Sequence, residues 1–292
     1  MAAQGSEADE QPSGAPPEGR SPAVTVVMTV HNGLPYVEEA VDSVLAQDDD
    51  FELVVVDDGS TDGTAEVLAQ RTDLRMRLVR RPHQGRVAAL NHALTLARGR
   101  YVANLDADDV ALPGRIAVPA RFLDEHPDVA VVGAAIQPFV GEAARRRPHR
   151  LPRSDRAIRW SFLFRNPFFH SSATFRVSAL AEAGNYDPAY SVRHDADLLL
   201  RLGQRHRLAN LDVPLAAKRL HPGQHFAAVD RRRRLIAHAI CRWRAARELR
   251  FPLLLRPGAY ALAAAAAARS LIVIGLLGRN GRQRRNHLVR TP

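Results

Sequence analysis

Leu105-Asp106-Ala107-Asp108-Asp109 carries three carboxylates within four residues, directly after the apolar run Tyr101-Val102-Ala103-Asn104. Negative charge this dense at the end of a strand is costly unless water, a cation or hydrogen-bond donors offset it. Its hard oxygens suit Mg2+ or Mn2+, and these ions favour a diphosphate. Read alone, the segment serves equally as an acidic turn before the helix that follows Pro113. Two more polar clusters end apolar runs upstream. Thr29–Asn32 closes Val24-Thr25-Val26-Val27-Met28, and Asp57–Ser60 closes Phe51–Val56. Ligands of open α/β sheets bind outside the carboxyl ends of the strands, so three such clusters predict one shared crevice.

The elements that position them follow from hydrophobic period. Val24–Val30, Phe51–Val56, Arg75–Arg80 and Tyr101–Leu105 read as strands. Tyr36–Gln47, Thr64–Arg71 and Val87–Ala97 read as the helices between them. This alternation argues for a parallel sheet in an α/β fold. Further on, Arg115–Glu125, Ala157–Phe164 and Ala196–Gln204 read as helices, and Val129–Ile136 and Ser171–Arg176 as strands. Gly141–Asp155 reads as a basic, solvated loop. Residues 1–22, rich in Gly, Pro, Ser and Glu, have no period and are expected to be disordered.

Composition narrows the classes. At 292 residues the chain can bury one large core or two modest ones. The single cysteine, Cys241, excludes an internal disulfide framework. The net charge of +10 is local: residues 231–292 carry 15 Arg against one acid, Glu248, so the remainder is net acidic. A tail of this kind can meet nucleic acid, an anionic membrane or an acidic partner. Gly258–Gly278 is long enough to span a bilayer, but its alanines are weakly hydrophobic and Arg269 is costly there. Amphipathic helices packed on the domain or lying on a membrane face are the expectation instead. Met1–Arg20 has no apolar core and so no signal peptide, which points to the cytoplasm. No dinucleotide Gly-x-Gly-x-x-Gly, phosphate loop or Gly-x-Ser-x-Gly elbow is present. His170, His194, His221 and His225 match no common zinc spacing.

The ordered set resembles the family 2 glycosyltransferases of the GT-A fold. It comprises Val24–Gly33, Val54–Asp62, Gln84–Asn91, Leu105–Asp109, Asn166–Ser172 and Arg219–Gln224, and covers roughly residues 23–226. The resemblance implies a Rossmann-like, mostly parallel sheet flanked by helices. It divides the chain into a leader (1–22), a GT-A domain (23–226) and an Arg-rich helical C-terminal extension (227–292). It implies an inverting transfer of sugar from a UDP-, GDP- or dTDP-linked donor to a hydroxyl of a saccharide, lipid-linked glycan or small molecule. The expected setting is cell-envelope polysaccharide or glycoconjugate synthesis, with the tail at the inner face of the plasma membrane and no specific nucleic acid.

Carried over by position, Thr29, His31, Asn32, Asp57 and Asp58 meet the nucleoside. Asn91 belongs to the helix segment that also serves the donor. Asp106 and Asp108 form the Asp-x-Asp that holds ribose and Mg2+ or Mn2+, and Arg219 and His221 approach the diphosphate. Asp195 falls on the base position. The sequence departs from the family in having His31 in place of the commoner tyrosine and His194 in place of the glutamate before the base. A protonated His194 would lower the pKa of Asp195, whereas glutamate would raise it. Taken without the resemblance, Asp195 reads as the N-cap of the helix from Ala196. The other reading of the whole chain is a weak or inactive homologue that binds a nucleotide-sugar or a membrane surface.

Overall fold

The computed structural model describes residues 21–141, 144–223, 230–249, 251, 253–265 and 267–268. Most of the 1–22 leader, the Gln224–His225 stretch and the apolar run beyond residue 268 lie outside the described residues.

Four strands, β1 (Val24–Val30), β2 (Phe51–Asp58), β3 (Met76–Arg81) and β4 (Tyr101–Asn104), alternate with helices α1 (Val37–Leu45), α2 (Thr64–Ala69) and α3 (Arg86–Leu96). Runs such as Val-Thr-Val-Val-Met-Thr-Val suit a strand covered on both faces, because β-branched side chains pack well on a pleated surface. These strands pair in parallel in the order β3-β2-β1-β4. Side chains alternate across the sheet. Val27, Val54, Val56 and Val102 join one buried cluster with α3, while Val26, Met28, Val55 and Ala103 join another with α1.

The sheet continues as β4-β8-β6-β9-β5. Its members are β5 (Val110–Ala111), β6 (Val129–Val140), β8 (Thr174–Arg176) and β9 (Arg207–Arg219), and β7 (Ala144–Arg145) pairs with β6. β8 is antiparallel to both its neighbours, and β6 and β9 are parallel to each other. Helices α4 (Ala117–Glu125), α5 (Asp155–Ser161), α6 (Val177–Ala183) and α7 (His194–Arg205) complete the layers. Residues expected to begin a strand at Ser171 instead form a 3-10 turn, His170–Ser172, before β8. The exposed run 146–150 touches β6 through a bridge between His149 and Ile136.

The Arg-rich helix α8 (Arg231–Glu248) lies against α7. Cys241, Ala245, Ala246 and Leu249 are buried in the same cluster as Leu198, Leu199 and Leu202 of α7. Arg244 joins them electrostatically: it donates to Asp197 of α7, to Glu248, and to the Tyr190 hydroxyl at 3.1 Å. Among the described residues, no helix is long and apolar enough to cross a membrane.

Candidate active site

The register sets the site. Val30 pairs with Asp57 and Val27 with Asn104, so the ends of β1, β2 and β4 share one sheet edge. The three polar clusters meet there in a cleft of about 650 Å3, lined by Thr29, His31, Asn32, Asp58, Arg86, Asp108 and His221 among others.

The carboxylates around it differ in what they face. Asp57 is buried and accepts from the Ser60 amide at 3.1 Å, closing its own turn. Asp58 is also buried and accepts from the amides of Gln84 and Gly85, at 3.1 and 2.8 Å. Those two bonds fix the loop that opens α3. Gly85 has φ +93°, and a Cβ there would meet nothing within 4 Å, so backbone conformation rather than space demands glycine. Asn32 ties the β1 and β2 loops together, since its amide donates to Ser60 Oγ and its side chain accepts from the Thr61 amide, both at 2.8 Å. His31 and His83 hang from the Asp58 carbonyl at 2.9 and 3.0 Å, with their rings 4.1 Å apart. Asn91 faces elsewhere, clamping the Tyr186 backbone through both its amide atoms.

The ligand atoms of Asp106, Asp108 and Asp109 lie within 4.8 Å of one another. Burial works against charge on Asp106, but Arg86 and His170 beside it outweigh that and hold its carboxyl well below the usual range. Asp108 is the most exposed of the three and meets His221 Nε2 at 2.9 Å. Asp109 is fully buried. It accepts from Ser171 Oγ at 2.5 Å and from the Arg219 amide at 3.0 Å, and burial pushes its pKa up to about 7. Arg219 bonds the Asp108 carbonyl at 3.1 Å, pairs with Glu39, and lies over the rings of Tyr36 and Phe139.

Asp195 stands in the first turn of α7 and accepts from Asn166 Nδ2 at 2.6 Å. Arg193, in the left-handed region at φ 63°, occupies the N-cap position that the sequence suggested for Asp195, and no side chain caps that helix. Burial alone would raise the pKa of Asp195; the cationic forms of His194 and His170, together with Arg193, bring it below the ordinary value. His194 itself is pushed down to about 3 by burial, and its Nδ1 has no hydrogen-bond partner among the described residues. The lowering of Asp195 expected from positive charge at His194 is found in direction, while burial leaves the His194 imidazole neutral at neutral pH. Between Asp195 and the acidic cluster stands His170. Its Nε2 is 2.9 Å from the Tyr186 hydroxyl, its Nδ1 is 3.4 Å from Asp106, and its ring is 5.7 Å from that of His194.

Sequence reasoning missed Arg86, His170, Tyr186 and His83. One cue was readable: an arginine in the first turn of a helix opposes the helix dipole. Arg86 opens α3 there, and the Asp106 carboxylate is what holds it.

A parallel sheet turning antiparallel at β8, with an acidic strand end at the mouth of a cleft, defines the GT-A class of α/β folds. Residues 25–183 match the family described as Glycosyl transferase family 2. The chain belongs to that family. The amylovoran biosynthesis glycosyltransferase AmsE of Erwinia amylovora is 33% identical over 164 residues, 55% of this chain and 61% of AmsE. The chain thus spans less than two thirds of that relative. Two solved structures share the fold. S. aureus TarS (residues 1–349) in complex with UDP-GlcNAc superposes with a TM-score of 0.64 at 19% identity, covering 82% of this chain and 70% of that one. The mannosyltransferase PcManGT of Pyrobaculum calidifontis, in complex with GDP-Man and Mn2+, gives 0.61 at 22% identity, covering 94% and 84%.

Proposed function

We propose that the protein is an inverting glycosyltransferase that moves a sugar from a nucleoside diphosphate sugar to an acceptor hydroxyl. The observation that carries this reading is the meeting of three strand-end clusters in one cleft, with Asp108 in its lining, Asp106 beside Asp108, and His170 between Asp106 and the His194-Asp195 pair. The tilted His31–His83 pair offers a platform for the base, and Thr29 and Asn32 line the same end. Asp57, Asp58 and Asn91 act on the donor by shaping the loops and the α3 segment that surround it.

The donor set of Asp106 and Asp108 fits Mg2+ or Mn2+: hard carboxylate oxygens, one group held ionised, the other partly exposed. Such an ion, when bound, supplies positive charge to the leaving diphosphate. Arg86, beside Asp106, brings a second positive charge to the same place. Arg219 holds the Asp108 backbone, and His221 faces the Asp108 carboxylate from the loop after β9.

Asp195 accepts the proton of the acceptor hydroxyl. The acceptor oxygen bonds to the anomeric carbon as the bond to the diphosphate breaks, which inverts that carbon and releases the nucleoside diphosphate. Base catalysis of this kind contributes about 10²- to 10⁴-fold. Binding of nucleotide sugars by the two fold neighbours, and the part AmsE takes in amylovoran biosynthesis, support a polysaccharide or glycoconjugate product.

The test combines binding with turnover. Thermal shifts with UDP-, GDP- and dTDP-sugars, each with and without Mn2+, should rise for one base and rise most with the metal. Asp195→Asn should keep that shift and lose transfer. A variant that transfers sugar as fast as the parent overturns the base assignment. A protein that shifts with donor yet transfers nothing to any hydroxyl is the binding module instead.

A further inference from the structure

Among the described residues, the outer face of α8 is left largely uncovered. At 100° per residue, Arg232, Arg233, Ile236, Ile240, Trp243 and Arg247 fall within one 100° arc. Ile236, Ile240 and Trp243 are 45–48% exposed, which is high for large apolar side chains on the surface of a folded domain. The three arginines on the arc are exposed as well. The opposite face is the one that packs, through Cys241, Ala245 and Leu249, and Glu248 turns from the arc toward Arg244 and Gln204 while also accepting from Arg247 at 2.9 Å, which leaves Arg232 and Arg233 as the uncompensated charges of the arc. The apolar strip extends onto the next helical segment. Tyr260 lies 5.8 Å from the Trp243 ring, and Leu254, Leu255 and Leu262 are exposed nearby in sequence.

We propose that this face docks on an anionic lipid bilayer. An apolar centre containing tryptophan, flanked by arginines and free of acidic side chains, matches the boundary between acyl chains and negative headgroups. Arginine stems add apolar cover while their guanidinium groups stay at headgroup level. The charge of the region, 15 Arg against one acid over residues 231–292, selects among occupants. A second copy of the chain, related by a two-fold axis, would set these arginines against their own kind. A nucleic acid would meet the arginines but leave Ile236 and Ile240 in water. Anionic lipid satisfies both parts. No residue of α8 lines the donor cleft, so donor binding and lipid binding can be read separately in one protein.

The experiment is flotation of the full chain with vesicles of phosphatidylcholine alone and with 30 mol% phosphatidylglycerol (a composition about one third anionic). Binding should require the anionic lipid and fall in high salt. Arg232→Gln with Arg233→Gln should weaken partitioning about 25-fold, about fivefold per charge. Ile240→Ser should weaken it with the charge unchanged. Trp243 emission should shift to the blue on binding, and Trp243→Phe should abolish that change. The donor-induced thermal shift should stay intact in every variant, which reports that each is folded. Equal binding to neutral vesicles, or no binding to either, overturns the proposal. So does a doubled sedimentation mass that Ile240→Ser abolishes, which assigns the face to a second copy. Retention on duplex nucleic acid that is indifferent to Ile240→Ser, with no lipid binding, assigns it to nucleic acid.

Discussion

Arg115 is 2% exposed and has no carboxylate partner among the described residues, yet it donates to four acceptors. They are the carbonyls of Asn104, Ser171 and Ala173 and the hydroxyl of Thr174. These bonds fasten the end of β4 to the turn before β8, the two pieces that carry Asp106 and the Ser171 that supports Asp109. Arg115→Met keeps the length and apolar stem and removes every bond. The Ala173 carbonyl retains the Asn104 amide, so three acceptors lose their donor. Each buried orphan costs about 1–3 kcal/mol, or about 6 kcal/mol together. Against this, burial pushes the arginine down to about 10, a penalty on its charged form of about 3 kcal/mol that methionine escapes. The expected net loss is about 3 kcal/mol, which lowers the melting midpoint by about 6–12 °C for a domain of this size. Differential scanning calorimetry reads it. Arg115→Lys, which keeps the charge but reaches fewer acceptors, should be no more stable than the parent. A methionine variant as stable as the parent would refute the reasoning, since the bonds would then be worth no more than the burial they require.

Three further outcomes follow from the site. Asp58→Ala leaves the Gln84 and Gly85 amides without acceptors, so denaturant unfolding should show a loss of about 2–5 kcal/mol, with Asp58→Asn nearer the parent. Removing divalent ions with EDTA should cut transfer about 10²- to 10³-fold and Mn2+ should restore it, whereas persistent activity would release Asp108 from its role. His194→Glu places a second carboxylate beside Asp195, which raises the Asp195 pKa, so the acid limb of kcat/KM should move toward neutral pH. The parent, whose Asp195 is held below its ordinary value, should stay active further into acid.

β1, β2 and β4 were legible because they are largely apolar runs that end in polar clusters. β9 was not, because Asp212-Val213-Pro214 breaks its middle. Proline supplies no amide to the ladder, and the pairing with β6 slips there, between Ala134 and Ala135. α6 was missed for another reason: Val177–Ala183 is a short, alanine-rich helix with too few turns to show a stripe. The tail read as an extension because its arginines dominate the composition. Small residues, Cys241, Ala245 and Ala246, are what bury it against α7, and their spacing is easily lost among the charges.

The candidate site was legible in its residue types but not in their directions. Sequence assigned roles to Asp57, Asp58, Asp106, Asp108 and Asp195 but not the partners that allow them to lie close together, and carboxylates cannot crowd one sheet edge without compensation. The fold divides them. Asp57 and Asp58 spend their oxygens on backbone amides of their own and the following loop. Asp109 turns inward to Ser171 and the Arg219 amide, with a pKa near neutrality that relieves part of the local charge. Asp106 and Asp108 stay side by side, Asp106 held ionised by Arg86 and Asp108 lining the cleft and facing His221. Asp195 has the Asn166 amide and a neutral imidazole beside it. The partners that make this division are scattered over a hundred residues: Arg86, Asn166 and His170 lie in the segments Gln84–Asn91 and Asn166–Ser172, whose pattern does not say which carboxylate each meets, and Tyr186 lies in none. Only the register of β1, β2 and β4, and the turn before β8, bring them to the carboxylates they sort.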